Sequence, residues 1–143
     1  MYDENLVRPM REEVTRLGFK QVTSAAEVDE AIKQPGTTFV FVNSVCGCAA
    51  GCARPGLSMA VENKILPDRM ITAFAGNDVA AVNQIRSYFT GFAPSSPAFG
   101  LLRDGELVWM LERWQIEGRP AVAIAGAIKD VFDEYCAAEV AVA

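Results

Sequence analysis

The sequence predicts an α/β protein, a three-layer α/β/α sandwich with helices on both faces of a mixed central sheet. Three observations predict this fold. Strand-like and helix-like segments alternate along the first part of the chain, which is typical of parallel strands joined by crossover helices. The run from Thr37 to Val42 is apolar on both faces, as a central parallel strand must be. The Asp104-Gly105 dipeptide between two apolar segments then indicates an antiparallel hairpin.

The first elements follow from apolar spacing and from capping residues. Four apolar residues near the N-terminus recur at helical spacing, namely Leu6, Met10, Val14 and Leu17. Gly18 follows as a C-cap, and the segment 18–23 predicts a short strand. Ser24 and Glu27 form a capping-box pattern that opens a second helix, and Pro35-Gly36 ends it.

The later elements are predicted in the same way. A helix beginning at Ala49 continues through an apolar stripe, with a kink expected at Pro55-Gly56; the stripe comprises Leu57, Val61 and Ile65. The segment 69–76 predicts a strand. Asn77 or Asp78 caps the next helix, which Gly91 ends, and the last helix is predicted from Pro120 to Tyr135.

Composition limits the possible partners and location. The 143 residues are expected to form a single domain over 1–143. The net charge is −5 and the 13 basic residues are scattered, so nucleic acid is not an expected partner. No apolar run approaches the ~20 residues of a membrane span, and the acidic N-terminus does not resemble a signal peptide. We therefore expect no membrane partner and a cytoplasmic location.

The chain contains no histidine. This excludes Ser-His-Asp and Cys-His nucleophilic catalysis, and it excludes HExxH zinc chemistry. Any reaction must therefore use Cys, Asp, Glu, Lys, Tyr or Arg side chains.

Three of the four cysteines, Cys46, Cys48 and Cys52, follow the central strand directly. A thiol at the start of a helix has a lowered pKa, because unpaired N–H groups and the helix dipole stabilise its thiolate. Cys46 and Cys48 are separated only by Gly47, which permits the irregular backbone that a bond between them would need. The pattern favours a redox pair of Cys46 and Cys48.

Other interpretations of the cysteines remain open at this point. A zinc or iron–sulfur module built on Cys46, Cys48 and Cys52 would need a fourth ligand, and Cys136 lies far along the chain. In a third interpretation, the cysteines have no chemical role and serve as small apolar residues in a turn. Cys52 is either an auxiliary thiol or a packing residue, and Cys136 is expected to be buried structure.

A second group of residues supports the redox interpretation. Ser96 and Pro97 precede the hairpin strand expected beside the cysteine-bearing strand. A cis proline facing the cysteines would leave the backbone before it free to pair with an extended thiol substrate. Arg54 is interpreted as a solvated surface residue rather than a partner of the thiolate.

Several motifs together resemble the bacilliredoxin family of thioredoxin-like proteins. They are "VNSVCGCAAG", "ARPG", "PSSPAF" and "IEGR", and the resemblance extends from "MREEVTRLGF" to "FDEYC". The family pattern differs at Cys52, where asparagine is usual, and at Glu112–Gln115, where a histidine is usual.

The resemblance implies a thioredoxin-like fold and thiol–disulfide oxidoreductase or isomerase activity. It implies removal of bacillithiol, a low-molecular-weight thiol, from mixed disulfides on oxidised (S-thiolated) client proteins. Cys46 would attack, Cys48 would resolve the product, and Ser96 and Pro97 would bind substrate. We expect no cofactor and no metal.

Overall fold

The computed structural model describes residues 1–137; residues 138–143, which the single-domain prediction includes, lie outside the described range. The described part contains a five-stranded mixed sheet in the order β1-β3-β2-β4-β5. The strands are β1 Lys20–Gln21, β2 Thr37–Asn43, β3 Arg69–Phe74, β4 Ala98–Arg103 and β5 Glu106–Leu111. The helices are α1 Glu4–Thr15, α2 Ala25–Ile32, α3 Arg54–Ala60, α4 Val79–Tyr88, α5 Arg113–Ile116 and α6 Ala121–Tyr135. A π-helical turn, Ala49–Ala53, leads directly into α3.

Strand β2 lies at the centre of the sheet and is buried throughout its length. It runs parallel to β3 and antiparallel to β4. Phe39 and Phe41 face one core with α3 and α6, whereas Val40 and Val42 face a second core with α2 and α4. Successive side chains of a strand point to opposite faces, so this alternation confirms the predicted three-layer sandwich.

Gly56 sets the distance between α3 and α6. A Cβ atom at Gly56 would lie 2.8 Å from Ile124 Cγ2 and 3.1 Å from the Ala121 carbonyl oxygen. Both distances are shorter than normal van der Waals contact, so any larger residue would push the two helices apart. Gly47, in contrast, has open space around the position of a Cβ atom.

The predicted N-cap is confirmed, since the Glu27 N–H donates to Ser24 Oγ at 3.2 Å. The Glu27 carboxylate in turn accepts from the Thr23 N–H at 3.1 Å, one residue before the expected position. Asp78 occupies the predicted N-cap position of α4, but its carboxylate does not cap the helix. The carboxylate is buried and instead accepts hydrogen bonds from the Phe74 N–H and from the Arg11 guanidinium. Its short side chain therefore connects α1 to the sheet.

Three details of the predicted helices are wrong. Leu6 is 55% exposed, and Val7 takes the buried position in α1. Ile65 lies beyond α3, which ends at Ala60. Pro55 occupies the first turn of α3, where it has no α-helical hydrogen bond to break, so the change of helical geometry comes before it, in the π-helical turn.

Candidate redox site at the end of the central strand

The cysteine pair lies where β2 ends and the next helix begins, as the sequence predicts. The Cys46 carbonyl accepts hydrogen bonds from the N–H groups of Ala49, at 3.1 Å, and Ala50, at 3.2 Å. The first helical turn therefore starts at Cys46. Cys46 and Cys48 are both partly exposed, and both are free thiols. Neither cysteine is therefore sealed inside the core.

The surroundings of Cys46 favour its thiolate. Burial, the largest single influence, raises the pKa, but the hydrogen bonds around the sulfur outweigh it. These bonds come from the Cys48 thiol, the Ala49 N–H, the Ser44 hydroxyl and the Cys48 N–H, in descending order of effect. The pKa of Cys46 is consequently lower than that of an ordinary thiol. Hydrogen bonds to a charged form favour that form.

Cys48 has the opposite shift. Burial raises its pKa most, and the hydrogen bond and charge of the neighbouring Cys46 raise it further, to about 11. Arg113 lowers the pKa of Cys48 and Glu117 raises it, both through their charges. Of the two thiols, Cys46 is therefore the one that ionises first, and Cys48 is the one that keeps its proton and shares it with Cys46.

The interpretation of Arg54 as a surface residue is wrong. Its side chain is 4% exposed, with Nη1 donating to Asn43 Oδ1 at 3.0 Å and to the Ser44 carbonyl at 2.9 Å. Its Nε donates to Glu13 Oε2 at 2.9 Å. A buried guanidinium needs such partners, and here they come from α1 and from the end of β2.

This arrangement fixes the loop that carries Cys46. Asn43 Oδ1 accepts from the Ser44 N–H at 2.8 Å as well as from Arg54, and Ser44 Oγ accepts from the Cys46 N–H at 3.2 Å. The hydrogen bonds thus run from the guanidinium of Arg54 through Ser44 to the backbone of Cys46. Arg54 contacts the loop rather than the sulfur.

The Ser96–Pro97 peptide bond is cis. Pro97 immediately precedes Ala98, which pairs with Val42 near the end of β2. The structure therefore brings Ser96 and Pro97 to the same edge of the sheet as the cysteine loop. Arg113, in the short helix α5, lies at this edge too, since its N–H donates to Ser95 Oγ at 2.8 Å and its charge acts on both Cys46 and Cys48.

The other two cysteines have different positions. Cys52 and Cys136 are partly buried and pack against the core on the α3 and α6 side of the sheet. Cys136 packs against the core as predicted, but it is only partly buried. Within residues 1–137, no group of three or more Cys, Asp or Glu residues is arranged to hold a metal ion.

Of the aromatic residues Phe92, Trp109 and Trp114, two are exposed and one packs against the core. Trp114 is 71% exposed and Phe92 is 42% exposed. Trp109 instead packs against the core, with its ring centroid 6.3 Å from that of Phe39. Among the helices described up to residue 137, none has the length and apolar character to span a membrane.

Comparison with known proteins agrees with this geometry. A family model described as disulphide isomerase matches residues 2–136. Bacilliredoxins of Staphylococcus aureus and Staphylococcus haemolyticus are 46% and 47% identical over 136 residues, which are 95% of this chain and 94% of each relative. The chain belongs to the bacilliredoxin family. This membership makes it a thiol–disulfide oxidoreductase.

Solved structures confirm the thioredoxin fold of this bacilliredoxin-family chain. Oxidised mitochondrial thioredoxin 3 of Saccharomyces cerevisiae matches with a TM-score of 0.56 at 15% identity, covering 82% of this chain and 95% of the thioredoxin. Thioredoxin of Trypanosoma brucei brucei matches with a TM-score of 0.56 at 17% identity, covering 81% and 88% of the two chains. At such low identity these likenesses concern the fold.

Three residues around the cysteine pair were not identified from the sequence: Ser44, Arg113 and Glu117. A serine directly after a strand carries no distinctive pattern. Arg113 and Glu117 lie at spacing i, i+4, with the Arg113 Nε donating to Glu117 Oε1 at 2.6 Å. That spacing was the only available signal, and it is equally typical of an exposed helical ion pair.

Proposed function

We propose that this protein removes bacillithiol from mixed disulfides on oxidised client proteins, with Cys46 as the nucleophile and Cys48 as the resolving thiol. The observation that carries the proposal is the pair of opposite pKa shifts at the end of β2. The pKa of Cys46 is lowered by its hydrogen bonds in spite of burial, whereas burial and the neighbouring thiolate raise that of Cys48 to about 11.

The first step is a thiol–disulfide exchange. The Cys46 thiolate attacks the bacillithiol sulfur of the mixed disulfide, a Cys46–bacillithiol disulfide forms, and the bond to the client breaks. The client leaves as a thiolate and takes a proton from solvent. Attack by a thiolate rather than a thiol makes the low pKa of Cys46 useful at neutral pH.

The second step regenerates the bacillithiol. Cys48 loses its proton to solvent and attacks the sulfur of Cys46, which releases bacillithiol as a thiolate and leaves a Cys46–Cys48 disulfide. A thiol reductant must then supply two electrons to restore both thiols. Once Cys46 is in the mixed disulfide its negative charge is gone, and so is the charge repulsion that raises the pKa of Cys48.

Ser96 and Pro97 are proposed to contact the substrate, since they lie at the edge of the sheet that carries the cysteine loop. The reducing thiol pool of the cytoplasm keeps protein thiols reduced. We therefore propose the cytoplasm as the location of the reaction.

A trapping experiment tests the assignment. A Cys48→Ser variant incubated with a peptide carrying one bacillithiol mixed disulfide should release the peptide thiol and gain one bacillithiol at Cys46, as located by peptide mass spectrometry. Cys46→Ser, the matched control, should do neither. An adduct on Cys52 or Cys136, or equal reduction by Cys46→Ser, would contradict the proposal.

Elemental analysis of anaerobically purified protein tests the competing metal module. Stoichiometric zinc or iron that is lost in a Cys46→Ser, Cys48→Ser double variant would show that these sulfurs are ligands, and the redox assignment would then be wrong.

A further inference from the structure

A cleft lies between helix α5 and the segment that precedes β4. It has a volume of about 450 Å3, and its walls include Ser95, Ser96, Arg113, Trp114 and Glu117. Its size is within the range of small-molecule sites, roughly 300–1,000 Å3. It lies at the end of the sheet that carries the cysteine loop, because Ser96 is two residues before Ala98, which pairs with Val42 near the end of β2. The charge of Arg113, in the wall of the cleft, also acts on both Cys46 and Cys48.

Trp114 presents a fixed aromatic surface in this cleft. The side chain is 71% exposed, yet its indole Nε1 donates a hydrogen bond to Glu112 Oε2 at 2.8 Å. This hydrogen bond holds the ring in one orientation, even though the ring is not packed against the core. An exposed, oriented indole has little to stabilise it within the chain itself, but it offers a large flat surface to the apolar face of a ligand ring.

The charged groups of the cleft suit a ligand with both signs of charge. Arg113 uses Nε for Glu117, at 2.6 Å, and its Nη1 has only a long contact of 3.5 Å with the Ser96 carbonyl oxygen. Its Nη2 makes no hydrogen bond within residues 1–137, so the guanidinium retains donors for a carboxylate. Glu112 and Glu117 provide carboxylates that can accept from an amine or from hydroxyls.

We infer that this cleft binds the glucosaminyl-malate part of bacillithiol, with the sugar ring stacked on Trp114 and a malate carboxylate paired with Arg113. This inference rests on the proposed function and extends it, because it assigns the residues that distinguish bacillithiol from other low-molecular-weight thiols. Bacillithiol joins a cysteine to a sugar ring and a dicarboxylic acid. The cleft provides an aromatic face, a cation and hydroxyl partners beside the reacting sulfur.

Three mixed disulfides of the same peptide separate the parts of the ligand. The bacillithiol adduct has a sugar and carboxylates, the glutathione adduct has carboxylates without a sugar, and the cysteamine adduct has neither. Trp114→Ala should lower kcat/KM about tenfold for the bacillithiol adduct alone. Arg113→Gln should lower it about tenfold for the bacillithiol and glutathione adducts and change it little for the cysteamine adduct.

Matched controls come from residues outside the cleft. Phe92→Ala removes an exposed aromatic ring and Arg119→Gln an exposed arginine, and both should leave all three rates unchanged. The pH profile of Cys46 alkylation in Arg113→Gln shows whether loss of the charge has changed the thiol itself.

The outcomes distinguish the two proposals. If the wild type does not reduce the bacillithiol adduct, the proposed function fails and this inference fails with it. If the wild type reduces that adduct but Trp114→Ala slows all three adducts equally or none of them, the proposed function stands. The assignment of the cleft is then overturned.

Discussion

A cysteine lies beside each end of strand β2, but the pKa of the thiol shifts in opposite directions at the two ends. At the carboxyl end, Cys46 receives hydrogen bonds from Cys48, Ala49 and Ser44, and its pKa is lowered although burial opposes this. At the amino end, Cys136 hydrogen-bonds to Thr37, yet burial dominates and its pKa is raised.

Both thiols are partly exposed, so exposure alone does not separate them. The difference lies in the number of donors that point at the sulfur. Where a strand runs into a helix, backbone N–H groups are left unpaired and converge on the junction. The start of β2, which follows the turn at Pro35-Gly36, offers Cys136 no comparable set of backbone donors. We therefore expect only the carboxyl end of β2 to support thiol chemistry.

The largest expected effect comes from removing each thiol in turn. Cys46→Ser should lower the rate of mixed-disulfide reduction by about a thousandfold or more, because a serine hydroxyl is not ionised at neutral pH. Cys136→Ser should stay within about twofold of the wild type. Reduction of a model mixed disulfide measures both. Comparable losses in the two variants would remove the distinction between the ends of the strand.

The next effect concerns the arginine at each end. Arg54→Met should destabilise the fold by about 3 kcal/mol, because it leaves Glu13 and the buried acceptors of Asn43 and Ser44 without their donor. At the amino end, Arg69 Nε donates to Thr38 Oγ1 at 3.1 Å from a more exposed position. Arg69→Met should cost about 1 kcal/mol.

Urea unfolding measures both free energies. Equal losses for the two arginines would mean that burial of Arg54 does not distinguish it from a surface residue.

A smaller effect isolates one donor to the thiolate. Ser44→Ala should raise the pKa of Cys46 towards the ordinary thiol value, because it removes a hydrogen bond that favours the charged form. Alkylation follows the thiolate fraction, so its midpoint should move to higher pH, and the rate at pH 7 should fall roughly fivefold. Ser58→Ala, on the exposed face of α3, is the control. An unchanged midpoint would mean that the backbone donors suffice.

The smallest effect is the pH dependence of stability. The lowered pKa of Cys46 adds stability that is present above the unfolded-state thiol pKa, about 8.5, and is lost as the pH falls through the folded pKa. The raised pKa of Cys136 adds stability that is present below about pH 8.5 and is lost as the pH rises through its folded pKa.

These two contributions to the free energy of unfolding are measured by unfolding Cys46→Ala and Cys136→Ala, each compared with the wild type, from about pH 6 to about pH 10. The stability difference between wild type and variant should grow with pH for Cys46→Ala up to about pH 8.5. Above that pH the raised pKa of Cys48, which depends on Cys46, contributes with the opposite sign. For Cys136→Ala the difference should shrink as the pH rises. A difference that does not grow below about pH 8.5 for Cys46→Ala, or does not shrink above it for Cys136→Ala, would contradict the opposite shifts.

The sequence predicts the frame of this site well because the signals for it are local. The uniformly apolar run of β2, the Ser24 N-cap of α2 and the Asp104-Gly105 turn are each read from a few neighbouring residues, and the structure confirms each of them. The position of Cys46 and Cys48 at the start of a helix follows from the same local pattern.

What the sequence could not show depends on distant residues. The partners of Arg54 lie 10, 11 and 41 positions away, so its burial is a property of the fold and not of its own segment. Helix α5 is only four residues long, too short to show helical periodicity, and it brings Arg113 and Trp114 to the site. Trp109 looks like a surface aromatic in sequence, but the sheet places it against Phe39.

The tight approach of α3 to α6 at Gly56 has a mechanical consequence. With Ile124 and the Ala121 carbonyl so close, α3 cannot tilt towards α6, and the helix that follows the cysteine loop is held in place. Any movement needed to form a bond between Cys46 and Cys48 must therefore come from the loop, where a Cβ atom at Gly47 would have no neighbour within 4 Å. Oxidation should therefore reshape a few residues of loop and leave the helix behind it in place.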